Sequence, residues 1–232
     1  MFRIVLSSPK GGCGKTHLAR NLAAAAAHDG YSVSTADLDP QRTLTRWARR
    51  RPQGVPGVNH YEVEWDDAEA LVSPDGIDQT DILIIDTPPS IEAHPVEFKR
   101  LIAGADLILV PCRTTFDDVE SAVPYLQTLR SGGARPVVVM NATKPRVNVA
   151  PEKTMLISAA ELCPIEIGDR ADHNRAAVRG MSLVDMVNHP GGDEIRGLWT
   201  FVRERVRLEA APAEAEAPAA NAAKKGRRNV EA

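Results

Sequence analysis

Three glycines, two lysines and a threonine stand together near the start of the chain, in Lys10-Gly11-Gly12-Cys13-Gly14-Lys15-Thr16. The apolar run Phe2 to Leu6 precedes them and the alanine-rich run Leu18 to Ala27 follows, giving the order strand, loop, helix. Glycine at 11, 12 and 14 lets successive backbone N–H groups turn toward one anion, and a helix starting near Lys15 adds the positive end of its dipole. The chemistry such a loop suits is phosphate binding. Lys15 would reach the β- and γ-phosphates of a nucleotide, and the Thr16 hydroxyl is the expected ligand for Mg²⁺.

Carboxylates follow at two further points. Asp37-Leu38-Asp39-Pro40-Gln41 ends a strand predicted over Ser32 to Ala36, and strand alternation sends Asp37 and Asp39 the same way, so both can face a metal–phosphate centre. Asp81 to Asp86 is an apolar run suited to a buried parallel strand that delivers Asp86 at its end. An acid there belongs on or near a magnesium shell, reached directly or through water.

The elements that must position these groups alternate along the chain. Helices are expected from Thr16 to His28, Pro95 to Ala103, Phe116 to Arg130, Pro151 to Leu162 and Asp193 to Leu208, with a short one over Thr43 to Arg51. Strands are expected at Leu107 to Pro111, Pro136 to Met140 and Pro164 to Ile167, with an edge strand over Tyr61 to Trp65. This pattern predicts a single α/β domain over 1–208 with a mostly parallel twisted sheet flanked by helices. The Ala, Pro and Glu-rich stretch 209–232, with Lys224-Lys225-Gly226-Arg227-Arg228, reads as a disordered tail.

Composition narrows the class. The chain has 232 residues, 43% hydrophobic and 25% charged, and a formal charge of −3. That balance excludes a globally basic nucleic-acid binder but leaves room for a local basic stripe. No apolar run approaches the roughly 18 residues of a membrane helix, and no secretory leader is legible, so a cytoplasmic protein is expected. Cys13, Cys112 and Cys163 are isolated, which leaves neither a disulfide framework nor a paired-cysteine metal site.

The ordinary P-loop pattern places glycine where this chain has Pro9. Lys-Gly-Gly-x-Gly-Lys-Thr, with Lys10 at its mouth, instead resembles the deviant Walker A box of the ParA/MinD superfamily of dimeric ATPases. Asp37 to Gln41 is similar to that family's Asp-x-Asp-Pro-Gln, and Asp81 to Pro89 to its Walker B strand. The resemblance runs up to about Leu208 and is loosest between Arg50 and Gln79.

From the resemblance follow a P-loop NTPase fold, ATP and Mg²⁺ as cofactors, and ATP hydrolysis. Gly11, Gly12, Cys13, Gly14, Lys15, Thr16 and His17 would hold the phosphates, with His17 standing where the family usually has Thr or Ser. Thr16, Asp37 and Asp86 would serve the metal, and Asp39 the attacking water. Asn141 and Asp169 would lie against the base. Lys10 would cross a homodimer interface to the partner's ATP. A partition-type switch of this kind binds DNA non-specifically, acts at the nucleoid, and is stimulated by a ParB-like or cargo-adaptor protein. A division-site regulator of the MinD or MipZ type and an ATP-held scaffold with negligible turnover share the same motifs. The C-terminal basic cluster lacks large apolar neighbours, so membrane attachment is not expected.

Two basic stretches stay open between solvated faces and DNA contacts. One is Thr43 to Arg51. The other is Arg196, Arg203 and Arg207, which at about 100° per residue form a stripe beside the apolar face of the last helix.

Overall fold

A computed structural model describes residues 1–206 apart from 74–75, 78–79 and 90–92. Strands β1 (Phe2–Leu6), β2 (Val33–Asp37), β3 (Asn59–Glu62), β4 (Ile82–Asp86), β5 (Leu107–Arg113), β6 (Pro136–Thr143), β7 (Glu161–Leu162) and β8 (Ile167–Gly168) form one sheet. The order is β3-β2-β4-β1-β5-β6-β7, with β8 beside β6, and the strand pairs are parallel. Helices are α1 (Lys15–His28), α2 (Thr43–Ala48), α3 (Pro95–Ala103), α4 (Phe116–Ser131), α5 (Ala150–Ala159), α6 (Ala171–Val178) and α7 (Pro190–Arg205).

Alternation along the central strands divides the core into layers. Ile4, Leu6, Ile82, Ile84, Leu107, Leu109, Val137 and Val139 face α1 and α7, whereas Val5, Leu83, Ile85, Ile108, Val110 and Val138 face the other side. Five alanines, Ala23 to Ala27, are buried in α1 and let it sit close between the sheet and α7. The sheet is therefore covered on both faces, as a parallel sheet must be.

Several expected elements shift. The edge strand lies at Asn59–Glu62, earlier than Tyr61 to Trp65, because it pairs with β2 from Ser34 to Asp37. Arg42 then ties down the carbonyl of Val63. Trp65 instead opens a 3₁₀ helix, Trp65–Leu71, that tucks Trp65, Ala68 and Leu71 into the core. The helix expected to run to Leu162 stops at Ala159, since the next residues pair with β6. The last strand falls at Ile167–Gly168 rather than Pro164 to Ile167. The last helix starts at Pro190 and ends at Arg205; Leu208 and the tail 209–232 lie outside the described residues.

Two arginines of the basic stretch from Thr43 to Arg51 make structural ties. Arg51 donates from both guanidinium nitrogens to Asp185, at 3.1 and 3.2 Å, with its side chain 5% exposed and that of Asp185 fully buried. Asp185 also meets His28 at 2.7 Å, and Arg49 pairs with Glu62. The segment thus fastens α2 to the turn before α7. Arg51→Ala would leave the buried Asp185 carboxylate with only His28 and the Ser182 N–H as partners, and the expected cost is about 3 kcal/mol; chemical denaturation should show a lower midpoint with an unchanged slope.

Candidate functional site

The loop residues meet at the carboxyl edge of the sheet, between β1 and α1. Gly12 and Gly14 take φ of 75° and 105°, values that only glycine adopts without strain. At Gly14 space also decides, because a Cβ there would stand 2.0 Å from Asn141 Nδ2. Lys15 is 6% exposed. Its Nζ donates to Ser8 Oγ at 3.0 Å and to the Lys10 carbonyl at 3.2 Å, and burial lowers its pKa. An anion arriving at this loop meets a poorly solvated ammonium.

Behind the loop, Thr16 Oγ1 donates to Asp86 Oδ2 at 2.6 Å. The Asp86 carboxyl is fully buried, and its Oδ1 has no hydrogen-bond partner. Burial pushes its pKa up to about 7, against the Thr16 hydrogen bond. A hydroxyl beside a carboxylate with an unused oxygen is a donor set suited to Mg²⁺, which prefers oxygen ligands, and a cation there would favour the ionised acid. Thr16 and Asp86 thus fit the metal expected of them.

Asp39 lines the same cavity as Lys15 and Thr16, about 640 Å³ in volume, with Gln41, Pro88, Pro89, Trp65 and His94 along its walls. Trp65 and His94 stack there at 5.1 Å, nearly parallel. Gln41 N–H donates to Asp39 Oδ1 at 2.8 Å, which leaves the other carboxyl oxygen for a water.

Asp37 is engaged by the protein itself. It does not present a free carboxylate beside that of Asp39. Its Oδ1 accepts from the Asp39 N–H at 3.0 Å, and its Oδ2 accepts from the Thr45 N–H and hydroxyl at 2.9 and 3.0 Å. It is fully buried, next to Asp86 in the β2–β4 register. Alternation along the strand predicts direction correctly, but the first turn of α2 captures the carboxyl. Its work is to hold the Asp39 turn.

Lys10 Nζ donates to the Asp117 carbonyl at 2.6 Å and lies 3.8 Å from Asp118, at the start of α4, with the side chain 38% exposed. Asn141, at the end of β6, donates to the Cys13 carbonyl at 2.8 Å, and its Oδ1 meets His17 Nδ1 at 3.3 Å. Through that contact the amide braces the loop. Cys13 itself is buried, and burial pushes its thiol pKa up. Gly11 and Gly12 are exposed at the mouth. Asp169 shares with Asn141 a smaller cavity of about 200 Å³ on the other side of the loop.

In the stripe left open between a solvated face and DNA contacts, the two described arginines are both paired. Arg196 pairs with Asp193 at 2.6 Å. Arg203 donates to Asp29 Oδ2 at 2.7 Å, the atom that also accepts from Trp199 Nε1 at 2.8 Å, so it pins α7 to the end of α1. Arg207 lies outside the described residues. Residues absent from the sequence reading but present in the smaller cavity include Arg20, Arg113 and His173. Their spacing carries no motif, and only the fold gathers them.

The chain belongs to the CobQ/CobB/MinD/ParA family: that family's nucleotide binding domain matches residues 4–184. It is a nucleotide-binding domain related to partition and positioning proteins. It is 24% identical over 196 residues to the maintenance of carboxysome distribution protein A of Halothiobacillus neapolitanus, covering 80% of this chain and 88% of that one. It is 31% identical over 157 residues to the chromosome-partitioning ATPase Soj of Thermus thermophilus, covering 55% and 61%. The MinD cell division protein of Aquifex aeolicus superposes with a TM-score of 0.74 at 20% identity, over 91% of this chain and 99% of that one. Among the described residues no helix is long and apolar enough to cross a membrane.

The two aspartates should separate on substitution. Asp37→Ala leaves two buried backbone N–H groups without their acceptor and is expected to cost about 1–3 kcal/mol each, lowering both the melting temperature and ATP turnover. Asp39→Ala should leave the melting temperature within about 2 °C while abolishing any turnover, since changes of this kind usually fall within about 0.5 kcal/mol. Melting curves beside phosphate-release assays check the pair.

Proposed function

We propose that this chain is an ATP-hydrolysing switch that dimerises around bound nucleotide and positions a cargo. The observation that carries the reading is that Lys15, Thr16, Asp39 and the unused oxygen of Asp86 converge on one edge of the sheet. Lys15 and the loop N–H groups hold the β- and γ-phosphates. Thr16 and Asp86 hold the metal, which when bound offsets phosphoryl charge. Asp39 orients a water in line with the γ-phosphorus, and the ADP oxygen leaves on the opposite side. Positioning and charge compensation supply most of the rate in such a transfer.

Lys10 is the switch element in this reading. Its side chain is 38% exposed and its nitrogen lies 3.8 Å from Asp118, which is 15% exposed, and a long, partly solvated pair of that kind is worth about 1 kcal/mol. Transfer of Lys10 to the phosphates of a second copy therefore costs little, and the return after hydrolysis breaks the assembly. The relatives named for carboxysome distribution and chromosome partitioning support a cargo carried by such a cycle, with duplex DNA as the track and a ParB-like or adaptor protein as activator.

The pairing of Arg196 and Arg203 favours a second reading, a regulator or scaffold that forms the same ATP-dependent dimer but acts through a protein partner. Light scattering and DNA-binding titrations with ATP, with ADP and with neither separate the two. Wild type should double in mass only with ATP and then bind duplex DNA, with affinity falling steeply with salt. Lys10→Ala should bind ATP yet remain monomeric and lose the DNA binding. An ATP dimer that ignores DNA would select the second reading, and failure to dimerise would overturn both.

A further inference from the structure

Two cavities open on the phosphate loop from opposite sides. The larger contains Lys15, Thr16 and Asp39, and the smaller contains Asn141, Asp169, Arg170 and His173. Their shared wall is Gly12, Gly14 and His17. A nucleotide with its terminal phosphates in the first and its sugar and base in the second must carry its α-phosphate across that wall.

Arg20 lines the smaller cavity, one helical turn after Thr16. It is 8% exposed and has neither a hydrogen bond nor an ion pair among the described residues. Side chains on a helix lean toward its N-terminus, which directs the guanidinium at the turn Thr16–His17. Burial lowers its pKa to about 10, with Asp86 opposing the shift, so it stays cationic near neutrality. A buried cation without a hydrogen-bonding anion is costly, and structures rarely tolerate one without use for it.

Next to it stands a second group of unmet polar atoms. His173 is 5% exposed and sits edge-on to His17, with ring centroids 4.2 Å apart at 72°. Both nitrogens of His173 and Nε2 of His17 are buried without partners. So many unsatisfied nitrogens in one place call for a ligand rather than a packing account. The chemistry that meets a guanidinium fork and imidazole N–H groups together is a phosphate oxygen.

We propose that Arg20, supported by His17 and His173, holds the α-phosphate of the bound nucleotide and so couples the hydrolytic cavity to the base-side cavity. The proposal rests on the nucleotide-binding reading of the loop. It gives this chain a second cation on α1, which lines the smaller cavity where Lys15 does not. Arg20 acts here as a binding residue, not as part of the hydrolytic chemistry.

The test measures ADP affinity by calorimetry, and the ³¹P resonances of bound ADP, for the whole chain and for Arg20→Met, Arg20→Lys and His173→Gln, with circular dichroism to establish folding. Arg20→Met should weaken ADP binding by about tenfold or more, the scale of one lost charge-assisted hydrogen bond. Arg20→Lys should recover part of the loss, and all three changes should move the α-phosphorus resonance while leaving the β-phosphorus in place. Unchanged affinity in folded Arg20→Met, or equal displacement of both resonances, would overturn the proposal and leave the nucleotide reading intact. If Arg20→Met does not fold, the α-against-β comparison in Arg20→Lys and His173→Gln decides by the same criterion. A wild-type chain that binds no ADP would overturn the nucleotide reading itself, and this proposal with it.

Discussion

The Thr16–Asp86 hydrogen bond is the contact on which the site depends. It joins the first turn of α1 to a fully buried carboxyl at the end of β4, and it ties the helix to the sheet. The glycine loop must span the gap so defined, which is why its backbone needs two positive φ values in three residues. Asp86 in turn stands beside Asp37 in the register of β2 and β4. Through Asp37 the same line of contacts reaches the Asp39 turn and the start of α2. Two buried acids in adjacent strands repel when both are ionised. At Asp86 burial raises the pKa most and the neighbouring Asp37 adds to it, and a cation there would relieve both.

A second set of contacts braces the loop from the other side. Asn141 holds the carbonyl of Cys13 and presses against Gly14. Its position follows from β6 pairing with β5, which sets Asn141 beside Arg113. The loop is therefore clamped between β4 and β6, with β1 and β5 between them in the sheet. Four strands contribute to the geometry of one anion cradle, and the interior contacts among them are apolar. The central sheet is the rigid part, and the chemistry is placed where it ends.

Much of this was legible in the residues. Glycine spacing and the flanking apolar runs located the loop, and the uninterrupted run to Asp86 marked a buried strand whose acid meets Thr16 as expected. The rest depended on tertiary partners that local pattern does not encode. Asp37 and Asp39 alternate as a strand requires, yet Thr45 claims one of them. Tyr61 to Trp65 alternates like a strand, but pairing with β2 draws the strand earlier and leaves Trp65 to pack in a 3₁₀ turn. Asn141 was placed correctly at a strand end, while its brace on Cys13 depends on a loop 128 residues away. Arg20 and His173 carry no local signal, because they meet only when α6 folds over α1.

The margins of the sheet have a different consequence. At one side β6 is bordered by two strands of two residues each, β7 and β8, and at the other β3 has only four residues with charged and polar side chains at its ends. Short, interrupted borders of this kind give an incoming strand little backbone to pair with. Copies of the chain are thereby discouraged from zipping into continuous ribbons through their sheet borders.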